Sequence, residues 1–147
     1  MEKLNVRYKK LTPEAIAPVF SSAGAAGADI YALPGSDAVI EPGETYTVHT
    51  GICFEIPDGY AGLVFARSGL ATREGLAPAN KVGLIDCDYR GELLVALHNH
   101  SETSAYLKGG ERVAQLVITP IPAVEYTEAQ ELSETVRGSG GFGSTGK

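Results

Sequence analysis

Short apolar runs broken by turn residues recur along most of this chain. From Ile52 to Ile56, apolar Ile52, Phe54 and Ile56 alternate with Cys53 and Glu55, the period-two pattern of a half-buried strand. Runs at Thr45–Thr50, Gly62–Ala66, Leu93–Asn99 and Arg112–Pro120 predict further strands, with Pro34-Gly35, Pro42-Gly43, Pro57-Asp58-Gly59 and Gly109-Gly110 as turns among them. Helix is expected only as a turn or two, at Pro13–Ala17 behind a Thr12 N-cap and at Ser68–Glu74. Many short strands at close spacing, with no internal repeat, predict an all-β sandwich or barrel.

Two segments depart from simple alternation. Along Arg112–Ile118 both faces are mostly apolar: Val113, Gln115 and Val117 on one, Ala114, Leu116 and Ile118 on the other. Such a strand is covered on both sides, within a sandwich or against another subunit, and a subunit contact is expected in part. After Pro122 the chain turns acidic (Glu125, Glu128, Glu131, Glu134) and ends in the Gly/Ser-rich stretch from Arg137 to Lys147. A single domain over 1–147 is expected, with a β core over about 1–124 and a flexible Gly-rich C-terminal arm and tail over about 125–147.

Composition narrows the class. A chain of 147 residues, 44% hydrophobic and 20% charged, can bury roughly 70% of its unfolded surface as one globular unit. Its longest apolar run, Leu93–Leu97, is far short of the ~20 residues of a membrane span. Met1–Asn5 leads into no apolar segment, so no secretory signal and no membrane partner are expected. Cytoplasmic residence is expected, or nuclear in a eukaryote. Cys53 and Cys87 are too few for a disulfide scaffold and read as free thiols. With 12 Lys+Arg against 18 Asp+Glu, the net charge of −6 argues against general nucleic-acid binding. A small anion could still be held locally, since Arg67, Arg73, Arg90, Arg112 and Arg137 all fall in segments carrying Gly, Ser or Gln.

Three segments could carry chemistry. Ala66-Arg67-Ser68-Gly69-Leu70-Ala71 follows a strand and opens a helical turn, which suits an anion or an ordinary polar turn equally. Asn80–Glu92 reads as a hairpin with a charged tip, in which Asp86 and Asp88 are a metal pair, a general base with its partner, or turn-forming carboxylates. The tail reads either as a plain Gly/Ser terminus or as a closing strap, with Arg137 and Phe142 set among glycines whose N–H groups can converge on phosphate. Its GxxxxGK spacing is not a phosphate loop, because no Ser/Thr and no helix follow Lys147. His98 and His100 share a strand face, but no third ligand is spaced to join them, so surface or core histidines are favoured.

Taken in order, Ala26–Ala32, Ala66–Ala71, Asn80–Glu92, Gly110–Leu116 and Arg137–Gly146 resemble the five motifs of the trimeric deoxyuridine triphosphate nucleotidohydrolases, the dUTPases. The resemblance implies a jelly-roll-like β fold in a homotrimer whose active sites are shared among subunits. It also implies Mg2+-dependent hydrolysis of dUTP to dUMP and pyrophosphate, limiting uracil incorporation into DNA and supplying dUMP for dTTP synthesis. Asp86 is then the catalytic base. Asn80, Gly83 and Ile85 read uracil in a slot too tight for the thymine methyl, and Tyr89 packs under the deoxyribose. Arg67, Ser68, Gly69 and Gln115 hold the phosphates. Arg137, Phe142, Gly143 and Ser144 bring the tail over the substrate. The Mg2+ is carried by phosphates and waters with no direct protein ligand, and Asp29 supports that shell. Rival readings are a dCTP deaminase of the same fold, a nucleotide-sensing or protein-binding module, and a purely structural jelly roll.

Overall fold

Gly51 shapes the longest strand. The structure, a computed structural model describing residues 3–141, runs the expected strands on either side of Gly51 together as one, Thr45–Glu55. Gly51 takes φ +69°, and the pairing register shifts between His49 and Cys53. The strand therefore bends without ending. Thr50 Oγ1 fills the gap, donating to Leu93 O at 2.7 Å and accepting from the Ile52 N–H at 3.2 Å.

Among the described residues the strands are β1 (Arg7–Lys10), β2 (Val19–Phe20), β3 (Ala28–Tyr31), β4 (Ala38–Ile40), β5 (Thr45–Glu55), β6 (Tyr60–Phe65), β7 (Leu76–Pro78), β8 (Gly83–Ile85), β9 (Glu92–Asn99), β10 (Ala105–Leu107) and β11 (Arg112–Pro120). One helix, α1 (Ser68–Arg73), follows β6. All pairings are antiparallel, in sheets ordered β1-β5-β9-β7, β10-β4 and β2-β3-β11-β6-β8. The inward residues of the two larger sheets, among them Ile30, Val48, Ile52, Val95, Leu97, Val113 and Leu116, form one core with Ile40 and Leu107 of the small sheet. The all-β, jelly-roll-like architecture is the expected one.

Three local expectations need correction. No helix forms at Pro13–Ala17. The Leu11 N–H donates to Gly51 O at 2.8 Å and Ala15 is 1% exposed, so the segment is drawn onto the bend of β5 as a turn. Thr12 Oγ1 caps nothing and is buried without a hydrogen-bond partner. Asn80–Glu92 is not a laddered hairpin: β8 pairs with β6, and β9 pairs with β5 and β7. The segment crosses between sheets because each strand finds its partner elsewhere. On β11, Val113, Ala114 and Leu116 are buried between β3 and β6, whereas Gln115, Val117 and Ile118 are half-buried.

No helix is long and apolar enough to cross a membrane among the described residues. After β11 the Ile121 N–H reaches Gly59 O at 2.7 Å. Residues 121–141 then carry no strand or helix. Val124, Tyr126, Leu132 and Val136 stand exposed there.

Candidate active site

The crossing between sheets leaves a cleft. β8 is an edge strand, bonded to β6 alone. β9 has β5 on one side throughout, but β7 covers its other side only at Leu97–Asn99. The open edge of β8 and the first half of β9 thus bound a cleft of about 200 Å³, lined by Leu84, Ile85, Asp86, Tyr89, Glu92 and Leu94. Strand edges without a ladder present N–H and C=O groups to whatever enters. That is the equipment needed to read the edge of a planar base.

Close packing fixes Tyr89 in its lining, and Asn80 and Gly83 stand beside it without lining it. Tyr89 Oη donates to Glu92 O at 2.9 Å, and its ring lies against Gly91, where a Cβ would come within 2.3 Å of Oη. A side chain at that position would displace the ring. At Gly83 a Cβ would meet Val64 Cβ at 3.2 Å and the Asn80 amide nitrogen at 3.4 Å. Asn80 sits at the mouth of the turn into β8, with the Val82 N–H on its carbonyl at 2.8 Å, and Lys81 beside it takes φ +67°. Asp86 is exposed at the end of β8, and the Tyr89 N–H closes the loop on its carbonyl at 3.2 Å. Ile85 faces the core, so its contribution to the cleft is through its backbone.

A second cluster lies at the other end of β6. Asp29, 8% exposed on β3, accepts from Arg67 Nε at 2.9 Å and from an Arg112 terminal nitrogen at 3.2 Å. Gln115, opposite Asp29 on one side and Phe65 on the other, donates to Ala66 O at 2.8 Å. That bond fixes the start of the Arg67-Ser68-Gly69 turn. Ser68 is exposed, and the Arg73 guanidinium lies against Gly69, 2.9 Å from where its Cβ would be. Arg67, Arg73 and Arg112 line a cleft of about 280 Å³ with Tyr31, Gly110 and Glu111. Three guanidiniums share this surface with the carboxylates of Asp29, Glu74 and Glu111, and planar guanidiniums suit an anion that reaches them. Arg73 and Arg112 were not singled out as ligands from the sequence, although both stand in segments that carry Gly, Ser or Gln.

The two clusters do not meet within one chain. Ile85 pairs with Gly62, which sets Asp86 beside Ala61. Arg67 lies six residues further along the same extended path, about 20 Å away at 3.3 Å per residue. Arg137 is exposed, its Nε on Gly140 O at 2.9 Å. Phe142, Gly143 and Ser144 lie outside the described residues. No group of three or more His, Cys, Asp or Glu able to hold a metal occurs among the described residues. Both oxygens of Asp29 are taken by arginines, so what it directly supports is the pair Arg67 and Arg112.

The dUTPase family model matches residues 13–146. A deoxyuridine 5'-triphosphate nucleotidohydrolase of Nautilia profundicola is 46% identical over 144 residues, covering 98% of this chain and 100% of that one. Its counterpart in Syntrophotalea carbinolica is 43% identical over 146 residues, covering 99% of each. Among solved structures, the dUTPase of Staphylococcus bacteriophage 80alpha with dUPNHPP has a TM-score of 0.91 at 30% identity, over 99% of this chain and 100% of that one. A mutant dUTPase from phage phi11 of S. aureus, described with a coordinated structural Mg(II) ion, has a TM-score of 0.78 at 26% identity, over 87% and 98%.

Proposed function

The chain belongs to the dUTPase family and is a dUTP diphosphatase, and we propose that a water deprotonated by Asp86 attacks the α-phosphorus of dUTP. The observation that carries this reading is the cleft between the open edges of β8 and β9, with Asp86 and Tyr89 among its lining residues. Backbone donors and acceptors of Gly83 and Ile85, with the Asn80 amide, pair with the uracil edge. Rigid backbone leaves no room for a 5-methyl group. Tyr89, wedged on Gly91, packs under the deoxyribose and rejects a 2′-hydroxyl.

Chemistry then follows from position. The Asp86 carboxylate takes the proton of the attacking water, help worth roughly 10²–10⁴-fold. The new oxygen–phosphorus bond forms at the α-phosphorus as the bond to the bridging oxygen breaks, and pyrophosphate leaves. Arg67, Ser68, Gly69 and Gln115 bind the phosphates. The Arg137–Ser144 tail closes over the substrate and excludes other waters. The donor set fits a Mg2+ carried on the triphosphate, since Asp29 is committed to arginines, and Asp86 and Glu92, the two carboxylates lining the cleft, belong to no group of three metal-ligating residues among the described residues. Bound there, Mg2+ supplies charge neutralisation on the triphosphate.

The reading requires more than one chain. Because Asp86 and Arg67 are about 20 Å apart along β6, a base over the α-phosphorus needs its arginines from a neighbour. A homotrimer with shared active sites meets that need. The unpartnered apolar side chains of Val124, Tyr126, Leu132 and Val136 support an arm that packs on another subunit. Two free, half-buried thiols support residence in a reducing compartment, the cytoplasm.

Pyrophosphate release from dUTP, dTTP, dCTP and UTP, with and without Mg2+, tests the reading. Release from dUTP alone, lost on chelation, is expected. Release from dTTP or UTP at comparable rates overturns the cleft assignment, and ammonia from dCTP overturns the reaction.

A further inference from the structure

Glu92 stands where the loop that carries Asp86 and Tyr89 rejoins the second sheet, as the first residue of β9. Its side chain is 19% exposed. One carboxylate oxygen accepts the Gly51 N–H at 2.7 Å, and the other meets His49 Nδ1 at 2.9 Å. Gly51 lies inside the register shift of β5, between the pairs His49–Leu94 and Cys53–Glu92. A shift of that kind leaves an N–H without a ladder partner, and here the Glu92 carboxylate takes it. Burial pushes this carboxyl upward, but the bonds from Gly51 and His49 outweigh it and hold it below its ordinary range.

The main chain of the same residue reaches the other way. Glu92 O accepts the Tyr89 hydroxyl at 2.9 Å. Within loop 86–91 the remaining side-chain hydrogen bonds among the described residues are internal, from Arg90 to Cys87 O and Tyr89 O. Tyr89 is therefore the side chain whose hydrogen bond ties the loop to the framework, at Glu92, while Cys87 packs against the core. Leu94, two residues further along β9, lines the same cleft. A slip at the start of β9 would move two walls at once.

We infer that Glu92 is a positioning residue for substrate recognition, holding the bend of β5 against the start of β9 and thereby setting the Tyr89 ring in the cleft, with His49 as its outer brace. The inference rests on the reading of this cleft as the deoxyuridine site. Asp86 is the first residue of the loop, next to Ile85, which β6 holds, whereas Tyr89 sits at the tether, so the tether governs how the sugar is seated more than how water is deprotonated. It assigns to Glu92 and His49 an effect on KM and on sugar discrimination, with kcat largely kept.

Glu92→Gln, His49→Gln and the double variant test this on the full-length protein. In Glu92→Gln the KM for dUTP is expected to rise about tenfold and the preference for dUTP over UTP to fall by a similar factor, as for one lost hydrogen bond to a charged group. His49→Gln, at an exposed position, should shift both in the same direction by less. The double variant should match Glu92→Gln alone, because the two act through one contact. Tryptic cleavage after Arg90, mapped by mass spectrometry, should accelerate in the Glu92 variant while cleavage after Arg112 does not. Parent-like KM, sugar preference and Arg90 cleavage in Glu92→Gln overturn the inference, as does a loss of kcat with sugar preference unchanged. If the parent itself fails to hydrolyse dUTP, the functional reading falls separately, and the Arg90 cleavage comparison still decides whether Glu92 tethers the loop.

Discussion

Replacing Asp29 by Asn separates charge from shape at the centre of the cation cluster. Asp29 is 8% exposed and its two oxygens hold Arg67 at 2.9 Å and Arg112 at 3.2 Å. The Arg67 side chain is 26% exposed and that of Arg112 45%, so the first bond is sheltered and the second is partly screened. A sheltered bond to a charged group contributes ~1.5–3 kcal/mol, and a half-exposed pair ~0.2–1 kcal/mol. Asn keeps the volume and one acceptor, but it turns an amide NH2 toward one guanidinium and leaves two cations unneutralised. The expected loss is ~2–3 kcal/mol. For a chain of 147 residues, an unfolding entropy of about 0.3 kcal/mol/K converts that to a Tm lower by ~7–10 °C.

The assay is a thermal melt at matched protomer concentration, since the proposed assembly would make Tm concentration-dependent, with and without pyrophosphate. Arginines that have lost their internal counter-ion should bind the added anion more tightly, so pyrophosphate should raise Tm further in the variant than in the parent. A Tm within about 2 °C of the parent's refutes the claim that buried Asp29 neutralises these arginines. Equal pyrophosphate shifts in the two proteins refute the claim that those arginines face the phosphates.

Gly51→Ala places a methyl 2.9 Å from Ala15 Cβ at φ +69°, so a loss of ~2–4 kcal/mol is expected in urea unfolding; a parent-like midpoint refutes the strained bend. Asn99 is fully buried, donating to Ile40 O and Thr103 O and accepting from the Ser101 N–H and Oγ. Asn99→Ala should therefore cost ~2–4 kcal/mol by the same measurement, and a change under about 1 kcal/mol would mean that water replaces those bonds. Asp86→Asn should lower kcat by about 10²–10⁴-fold while keeping the affinity for a non-hydrolysable dUTP analogue, and turnover near the parent's would remove Asp86 from the role of base. Glu92 is held below its ordinary value of 4.5, so the folded state binds fewer protons there than the unfolded chain. Its contribution is complete above that value and is lost as pH falls through the lowered one. Acid titration of stability should be shallower in Glu92→Gln over that window, and identical slopes would count against it.

The sequence made some of this legible for reasons that particular residues explain. Ile52–Ile56, Leu93–Asn99 and Arg112–Pro120 could be read as strands because their alternation is local and the core enforces it. The hairpin at Asn80–Glu92 could not be resolved that way. Two apolar runs around a polar tip look alike whether the strands ladder with each other or with partners distant in the chain, and here β8 takes β6 while β9 takes β5 and β7. Pro13–Ala17 carries plausible helix signals, but a single bond from the Leu11 N–H to Gly51 O decides against them from about forty residues away. Asp86, Tyr89 and Asn80 could be picked out through the resemblance of their segment. The partnership of Asp29 with Arg112, 83 residues apart in sequence, leaves no local mark.

The same non-local pairing links fold to stoichiometry. An edge strand bonded to β6 alone gives the cleft its open backbone, and the register of that bond, Gly62 to Ile85, carries Asp86 away from Arg67. Sliding β8 to bring them together would require a shift of several residues, which would unseat Gly83 from Val64 and turn Ile85 out of the core wherever the shift was odd. On the proposed reading, the register that keeps the cleft open also keeps Asp86 and Arg67 apart within one chain. On the proposed reading, with the base at one end of β6 and its phosphate ligands at the other, a lone subunit lacks a complete site. Mixing Asp86→Asn subunits with subunits lacking the Arg67 guanidinium should therefore restore turnover that neither variant has alone, and failure of that complementation under conditions of subunit exchange would place base and arginines in one chain after all.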